Sequence, residues 1–166
     1  MSLVQIAALL VAVQRLLEMA YAEHNARRLL SEGGIEHGAR HYPLFILLHG
    51  AWLAALFFLV PPEAPVSWPL LGLYLLLQVG RYWVLASLGR FWTTRVITLP
   101  GTALVRRGPY RWLRHPNYLI LAAEVAVLPL AFGAWQIALA FSLANAALLA
   151  QRIRVENAAL AEQRKL

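Results

Sequence analysis

The chain has 166 residues, of which 60% are hydrophobic and only 14% charged, and its net charge is +7. That is too apolar for a soluble domain of this size, which must cover its core with polar residues, so the bilayer is the natural solvent. The lack of cysteine excludes disulfides and thiolate metal sites, and the five histidines show no ligand spacing, so no metal is expected. In so apolar a chain the positive charge points to membrane orientation and to contact with anionic lipid, and no nucleic-acid partner is expected.

Leu3 to Ala22 is the first apolar run and is long enough to cross a hydrocarbon core of about 30 Å. It lacks a basic start and an Ala-x-Ala exit, so no cleaved leader is expected there. Arg15 and Glu18 are three residues apart, share a helix face and can pair, either as a structural pair snorkelling at the interface or as the wall of a site. His24 to Pro43 is a polar connector with Arg27, Arg28 and Arg40, in which Gly33-Gly34 and Gly38 break a continuous helix. The second run, Leu44 to Val60, follows His41-Tyr42-Pro43 and carries His49, which is either a hydrogen-bonded packing residue or a ligand. Pro61-Pro62-Glu63-Ala64-Pro65 is a stiff link without a basic residue.

The third run is Trp68 to Leu88, with Gln78 and Arg81 inside it; Arg81 can snorkel or face a site. Trp52, Trp68, Tyr82 and Trp83 suit interface belts and helix packing. Gly89 to Asn117 is the longest polar stretch and holds six arginines and no acid. Val96-Ile97-Thr98-Leu99 is β-prone, but a single short strand has no evident partner. Tyr118 to Phe132, with Glu124, and Trp135 to Ala150, with Asn145, form two further apolar runs. Pro129 and Gly133 mark a tight helical hairpin between them. The tail from Gln151 is charged and helix-compatible.

The connectors after runs one, three and five hold nearly all the arginine, and the links after runs two and four hold none. This alternation predicts an all-α polytopic membrane protein with five transmembrane helices, over residues 3–22, 44–60, 68–88, 118–132 and 135–150. The N-terminus is expected outside and the C-terminus inside, with the polar loop and the tail on one cytosolic face. The final hairpin should bring these two pieces together.

The densest polar and aromatic cluster, Gly108 to Tyr118, offers arginine, histidine, tyrosine and helix-start N–H groups. Gly108-Pro109 predicts a tight turn that lets backbone approach a ligand. A wall of this kind facing Glu156 could hold a zwitterion. The alternative is a basic interfacial loop that anchors on lipid headgroups, a scaffold without catalysis.

Gly108-Pro109-Tyr110-Arg111-x-x-Arg114-His115-Pro116-x-Tyr118, followed by a hairpin and Arg152-Ile153-x-x-Glu156-x-x-x-Leu160, resembles the integral-membrane methyltransferase superfamily. That superfamily contains isoprenylcysteine carboxyl methyltransferases and phospholipid N-methyltransferases. Gln14-Arg15-x-x-Glu18, His24-Asn25, His41-Tyr42-Pro43, His49, Ser87-Leu88-Gly89, Trp92, Arg95-Val96 and Leu99-Pro100-Gly101 extend the likeness to a bacterial branch of the isoprenylcysteine-type group. Members of that branch are associated with O-methylation of long-chain alkylpyrones.

The resemblance implies one integral-membrane methyltransferase domain over residues 1–166, in the bacterial inner membrane. It implies S-adenosylmethionine as cofactor, held at the cytosolic face by Val105, Gly108, Pro109, Tyr110, Arg114, His115, Tyr118 and Glu156. Asn157 stands where the family has a second glutamate, which removes one carboxylate and weakens the match to the phospholipid enzymes. Arg114, Tyr118, Glu124 and Arg152 are candidate catalytic residues. Arg15, Glu18, His49, Arg81, Glu124 and Asn145 are candidates for a lipid-side channel. The expected reaction is methyl transfer to an oxygen of a lipophilic acceptor, an alkylpyrone-like polyketide. Carboxyl methylation of a prenylated thiol and N-methylation of a phospholipid are the alternatives.

Overall fold

The computed structural model describes residues 1–39 and 42–161; Arg40 and His41 of the first connector and the end of the tail lie outside these. Five helices dominate: α1 (Leu3–Ser31), α2 (Tyr42–Leu59), α3 (Trp68–Leu88), α4 (Pro116–Ala131) and α5 (Trp135–Ala159). The protein is an all-α polytopic membrane protein. Four of the helices are long and apolar enough to cross a bilayer, and α4, with 16 residues, is shorter. It still runs from the loop end of the bundle to the hairpin end, where Ser67 N–H donates to Ala131 C=O at 2.8 Å.

Several helices outrun their apolar stretches. The first continues through the polar residues His24 to Ser31 and stops where Gly33 takes φ +93°. At its start, Ser2 and Gln5 exchange side-chain bonds with each other's backbone N–H, a reciprocal cap. The last helix continues past Ala150 to Ala159, so Arg152 and Glu156 are held on a rigid extension rather than a loose tail.

Val96–Thr98 forms a strand, β2, and it does have a partner. It pairs antiparallel with Ile35–His37, β1, in the register Ile35 to Thr98 and His37 to Val96. The expectation of an unpaired strand fails because the partner lies in another connector, 61 residues away by the His37 ring to Thr98 Oγ1 bond of 2.9 Å. Arg95 reinforces the pairing with ion pairs to Glu36 (3.1 Å) and Glu23 (2.6 Å). This ribbon ties the connectors after α1 and α3 together and rests on the end of α5, where Gly38 sits against Val155. The arginine-rich segments therefore gather at one end of the bundle. The links after α2 and α4 meet at the other, with Gly133 beside Pro65.

Outward faces are apolar, as lipid contact requires: Leu10, Leu16, Leu47, Leu76 and Leu143 are all exposed. The inward faces of α1, α2, α3 and α4 contribute Val4, Val11, Trp52, Leu56, Tyr74, Val125 and Leu128 to one core. Trp52 is buried there as a packing residue, whereas Trp68, Tyr82 and Trp83 stay exposed in belt positions.

The charged residues inside the apolar runs, with Gln14 and Gln78, neither snorkel nor stand free. Glu124 is fully buried on α4 and accepts from Arg15 Nη2 (2.7 Å), Gln78 Nε2 (2.8 Å) and Arg81 Nη1 (3.2 Å). Glu18 accepts from Arg81 Nε (2.7 Å), Arg15 Nη1 (3.0 Å) and Gln14 Nε2 (3.1 Å). Gln14 also donates to Gln78 Oε1 at 2.9 Å. Two carboxylates and two guanidiniums thus cancel inside the bundle and join α1, α3 and α4. The predicted Arg15–Glu18 pair exists, but it is buried in a larger network rather than held at the interface.

Truncating Glu124 would leave Arg15 and Arg81 short of a counter-charge. Glu124→Ala should therefore cost about 3–5 kcal/mol, as removal of one member of a buried ion pair does. Glu124→Gln, which keeps the hydrogen-bonding shape, should cost less. Thermal unfolding in a mild detergent checks both.

Candidate functional site

The loop from α3 to α4 is pinned before it reaches the site. Asn25 of α1 donates to the backbone carbonyls of Gly89 (3.2 Å) and Trp92 (2.9 Å). Arg107 Nε donates to Ser87 C=O at 2.6 Å. Gly108, at φ +57°, lies so close to α3 that a Cβ there would fall 2.0 Å from Ser87 Oγ and 3.2 Å from Trp83 Nε1. Only glycine fits that approach.

Past this anchor the chain turns through a short 3-10 segment, Gly108–Arg111, and enters α4 at Pro116 with His115 as its N-cap. His115 and Tyr118 then sit on the first turn of α4, facing the extension of α5. The two rings stack with centroids 5.5 Å apart and planes 18° from parallel. His115 Nδ1 is 3.3 Å from Glu156 Oε1, and its Nε2 is 3.2 Å from Asn157 Oδ1. The Tyr118 hydroxyl donates to Glu156 Oε2 and accepts from Arg152 Nε at 2.8 Å. Arg152 in turn donates through Nη2 to Thr94 C=O at 2.7 Å, and its guanidinium lies over Phe45 of α2 as well as over Tyr118. One arginine therefore joins α2, α4, α5 and the segment leading into β2.

These groups line a cleft of about 430 Å3, within the range of roughly 300–1,000 Å3 typical of small-molecule sites. Val105, Tyr110, Arg114, His115, Tyr118 and Glu156 all border it, as do Arg106, Asn117 and Arg152. Phe91, Ile97, Leu99 and Leu104 give it an apolar side. Burial, with the Glu156 charge adding to it, pushes the Tyr110 phenol well above its ordinary value, so that wall stays uncharged.

Two residues expected at the cofactor are held against α3. Gly108 and Pro109 do not border the cleft; the turn is tight because it backs onto Ser87 and Trp83, and Pro109 is buried behind the wall. The proposed channel residues also lie apart from it. Arg15, Glu18, Arg81 and Glu124 satisfy one another, Glu124 being about 12 Å along α4 from the loop. His49 Nδ1 donates to Phe45 C=O at 2.8 Å within its own helix, as a packing histidine does. Asn145 is buried on α5. The link between the two layers is Trp92: its indole borders the cleft, and the Arg81 guanidinium lies 5.7 Å from the ring centroid. Phe91, Ile97 and Leu104 carry no signal in the sequence beyond their apolarity. Thr94 and Phe45 become site supports only through Arg152.

A polar cleft of small-molecule size at one end of an apolar helical bundle defines a multi-pass membrane protein with a candidate binding site at its polar end. The isoprenylcysteine carboxyl methyltransferase (ICMT) family model matches residues 70–162. A protein of Bacillus subtilis (strain 168), named uncharacterized protein YpbQ, is 40% identical over 157 residues, covering 92% of this chain and 94% of that one. No solved structure matches. The chain belongs to the ICMT family, whose members are S-adenosylmethionine-dependent integral-membrane methyltransferases that act on lipophilic substrates.

The clamp at Gly108 is open to test. Gly108→Ala should lower stability by about 1–3 kcal/mol, because the new methyl overpacks against α3. It should also expose the 104–115 segment to limited proteolysis, while Gly72→Ala, in α3 where φ is negative and a Cβ meets no atom, should leave that segment protected.

Proposed function

We propose that this protein transfers a methyl group from S-adenosylmethionine to an ionised oxygen of a lipophilic acceptor, with residues 1–166 acting as one domain. The composition of the cleft carries this reading. Arg95, Arg106, Arg114 and Arg152 border it, and among the described residues Glu156 is the one carboxylate on its lining. That carboxylate is already engaged by Tyr118 and His115.

The donor set suits the cofactor. Arg114 and His115 match its amino-acid carboxylate. Glu156 and the Tyr118 ring match its cationic groups. Val105 and Tyr110 offer apolar and aromatic surface beside them. When bound, S-adenosylmethionine supplies the electrophilic methyl group. The chain's own part is to orient the acceptor oxygen in line, to exclude water and to hold the anion in an arginine-rich rim.

An acceptor that is already anionic needs no general base, and among the described residues no carboxylate on the lining is free to act as one. An ammonium acceptor would meet net positive charge and would have to lose a proton first. This favours an enolate or carboxylate oxygen over a phospholipid amine. Within that class an alkylpyrone-like polyketide, whose ring hydroxyl is acidic, is the preferred acceptor. Arg152 and Tyr118 are proposed to orient the reacting groups, Arg114 to hold charge, and Glu124 to act through the fold rather than on the acceptor. On the positive-inside rule the arginine-rich end is proposed to face the cytosol, in the bacterial inner membrane, with the N-terminus outside.

Calorimetry of the purified protein with S-adenosylhomocysteine tests the cofactor. Saturable binding is expected, and Glu156→Ala or His115→Ala should weaken it about tenfold or more, the equivalent of one charge-assisted hydrogen bond of about 1.5–3 kcal/mol. Affinity is read well below each variant's thermal midpoint, which should fall only modestly because the Tyr118–Arg152 bond remains. Unchanged affinity in both variants counts against the assignment. A mass-spectrometric search for a methylated lipid in cells with and without the protein tests the acceptor; a product methylated on nitrogen would reject the oxygen reading.

A further inference from the structure

The arginines fall into two groups. Arg15, Arg27, Arg28, Arg81, Arg90 and Arg95 each contact a glutamate within 4 Å, and Arg107 and Arg152 are held by backbone carbonyls. Arg106, Arg111, Arg114 and Arg154 have no carboxylate partner among the described residues, and all four are exposed. Three of these four lie within residues 106–114, around the anchor on Ser87, so most of the arginine charge without a carboxylate partner among the described residues belongs to one segment.

That place has a layered surface. Along α3, Val79 (66% exposed) and then Tyr82 and Trp83 (56% and 52%) climb toward the loop. Trp112 is 71% exposed, and its ring lies 6.2 Å from that of Trp83. The Arg111 guanidinium stacks over Trp112 at 5.8 Å. The Gly108–Ser87 contact and the Arg107–Ser87 bond fix this arrangement, because they hold the loop against the last turn of α3. The order outward is aliphatic, then indole, then guanidinium. It follows the order of acyl chain, interface and headgroup in a lipid leaflet.

We infer that the Trp83–Trp112 pair with Arg106, Arg111 and Arg114 is a binding surface for anionic phospholipid headgroups, at the rim of the cleft. The arginines supply the countercharge for a phosphate diester. The paired indoles seat the glycerol and upper acyl region, and the pinned loop keeps the ordering cost low. Arg106, Leu113 and Arg114 border both this surface and the cleft, so an anionic lipid held here forms part of the surroundings of the cleft mouth. The inference needs only the membrane, and its test leaves unchanged Arg114, the arginine proposed to meet the cofactor's carboxylate.

The test uses the full protein in lipid discs of phosphatidylcholine with a minor share of phosphatidylglycerol. Lipid that stays with the protein after mild detergent extraction is measured by mass spectrometry. Phosphatidylglycerol should be enriched several-fold over the disc composition, and high salt should reduce the enrichment. In R106Q/R111Q it should fall to near parity, and Trp112→Ala should reduce it. R27Q/R28Q removes the same charge from arginines that already have glutamate partners, and should retain the enrichment. No enrichment in the wild type, unchanged enrichment in R106Q/R111Q, or equal loss in R27Q/R28Q would each overturn the assignment. The last result would mean that diffuse positive charge alone attracts the lipid.

Discussion

The structure depends on charge neutrality inside an apolar bundle. Two glutamates and two arginines lie where neither water nor lipid can solvate them, so each carboxylate must find a guanidinium. Glu18 and Glu124 meet this demand with the same two arginines, Arg15 and Arg81. The solution is geometric as well as electrostatic. It requires α1, α3 and α4 to present these side chains at one depth, so a helix that slid by one turn would strand a charge. In a medium that gives helices little hydrophobic reason to associate, such polar contacts supply registration that packing alone does not.

From this layer the order passes to the loop end. Arg81 rests against Trp92, Trp92 borders the cleft, and Asn25 of α1 holds the Trp92 carbonyl. The helices fixed in the membrane thus fix the wall of the cleft. On the other side Arg152 binds four elements at once, with Tyr118 and Glu156 in one hydrogen-bonded chain. The two-stranded ribbon closes this end, because its strands come from separate connectors and meet above α5. The polar cleft lies at the end where these constraints converge, while the helices further along expose leucines such as Leu10, Leu47, Leu76 and Leu143.

Parts of the design are legible along the chain itself. Apolar runs and the alternation of arginine predict five helices with the polar loop and the tail at the same end, and His115 does meet Glu156 at 3.3 Å. Periodicity does not show where the helices end, since His24 to Ser31 and Gln151 to Ala159 are polar yet continue as helix. Nor does it supply a partner for Val96–Thr98, because strand pairing across two connectors leaves no local mark. Gly108-Pro109 suggests a backbone that approaches a ligand, whereas the tightness of this turn serves contact with Ser87.

The sequence by itself determined the solvent of this protein, the number of its helices, the end that carries its charge and the residues from which a site could be built. These follow from composition and from patterns of a few residues, which act locally and through the bilayer. The tertiary structure decided which charges neutralise one another and which are left exposed. Arg15, Arg81 and Arg95 look no different in the chain from Arg106, Arg111 and Arg114, yet the first three are neutralised by glutamates and the others have none among the described residues. Pairing depends on distances across helices, to which spacing along one helix gives no access.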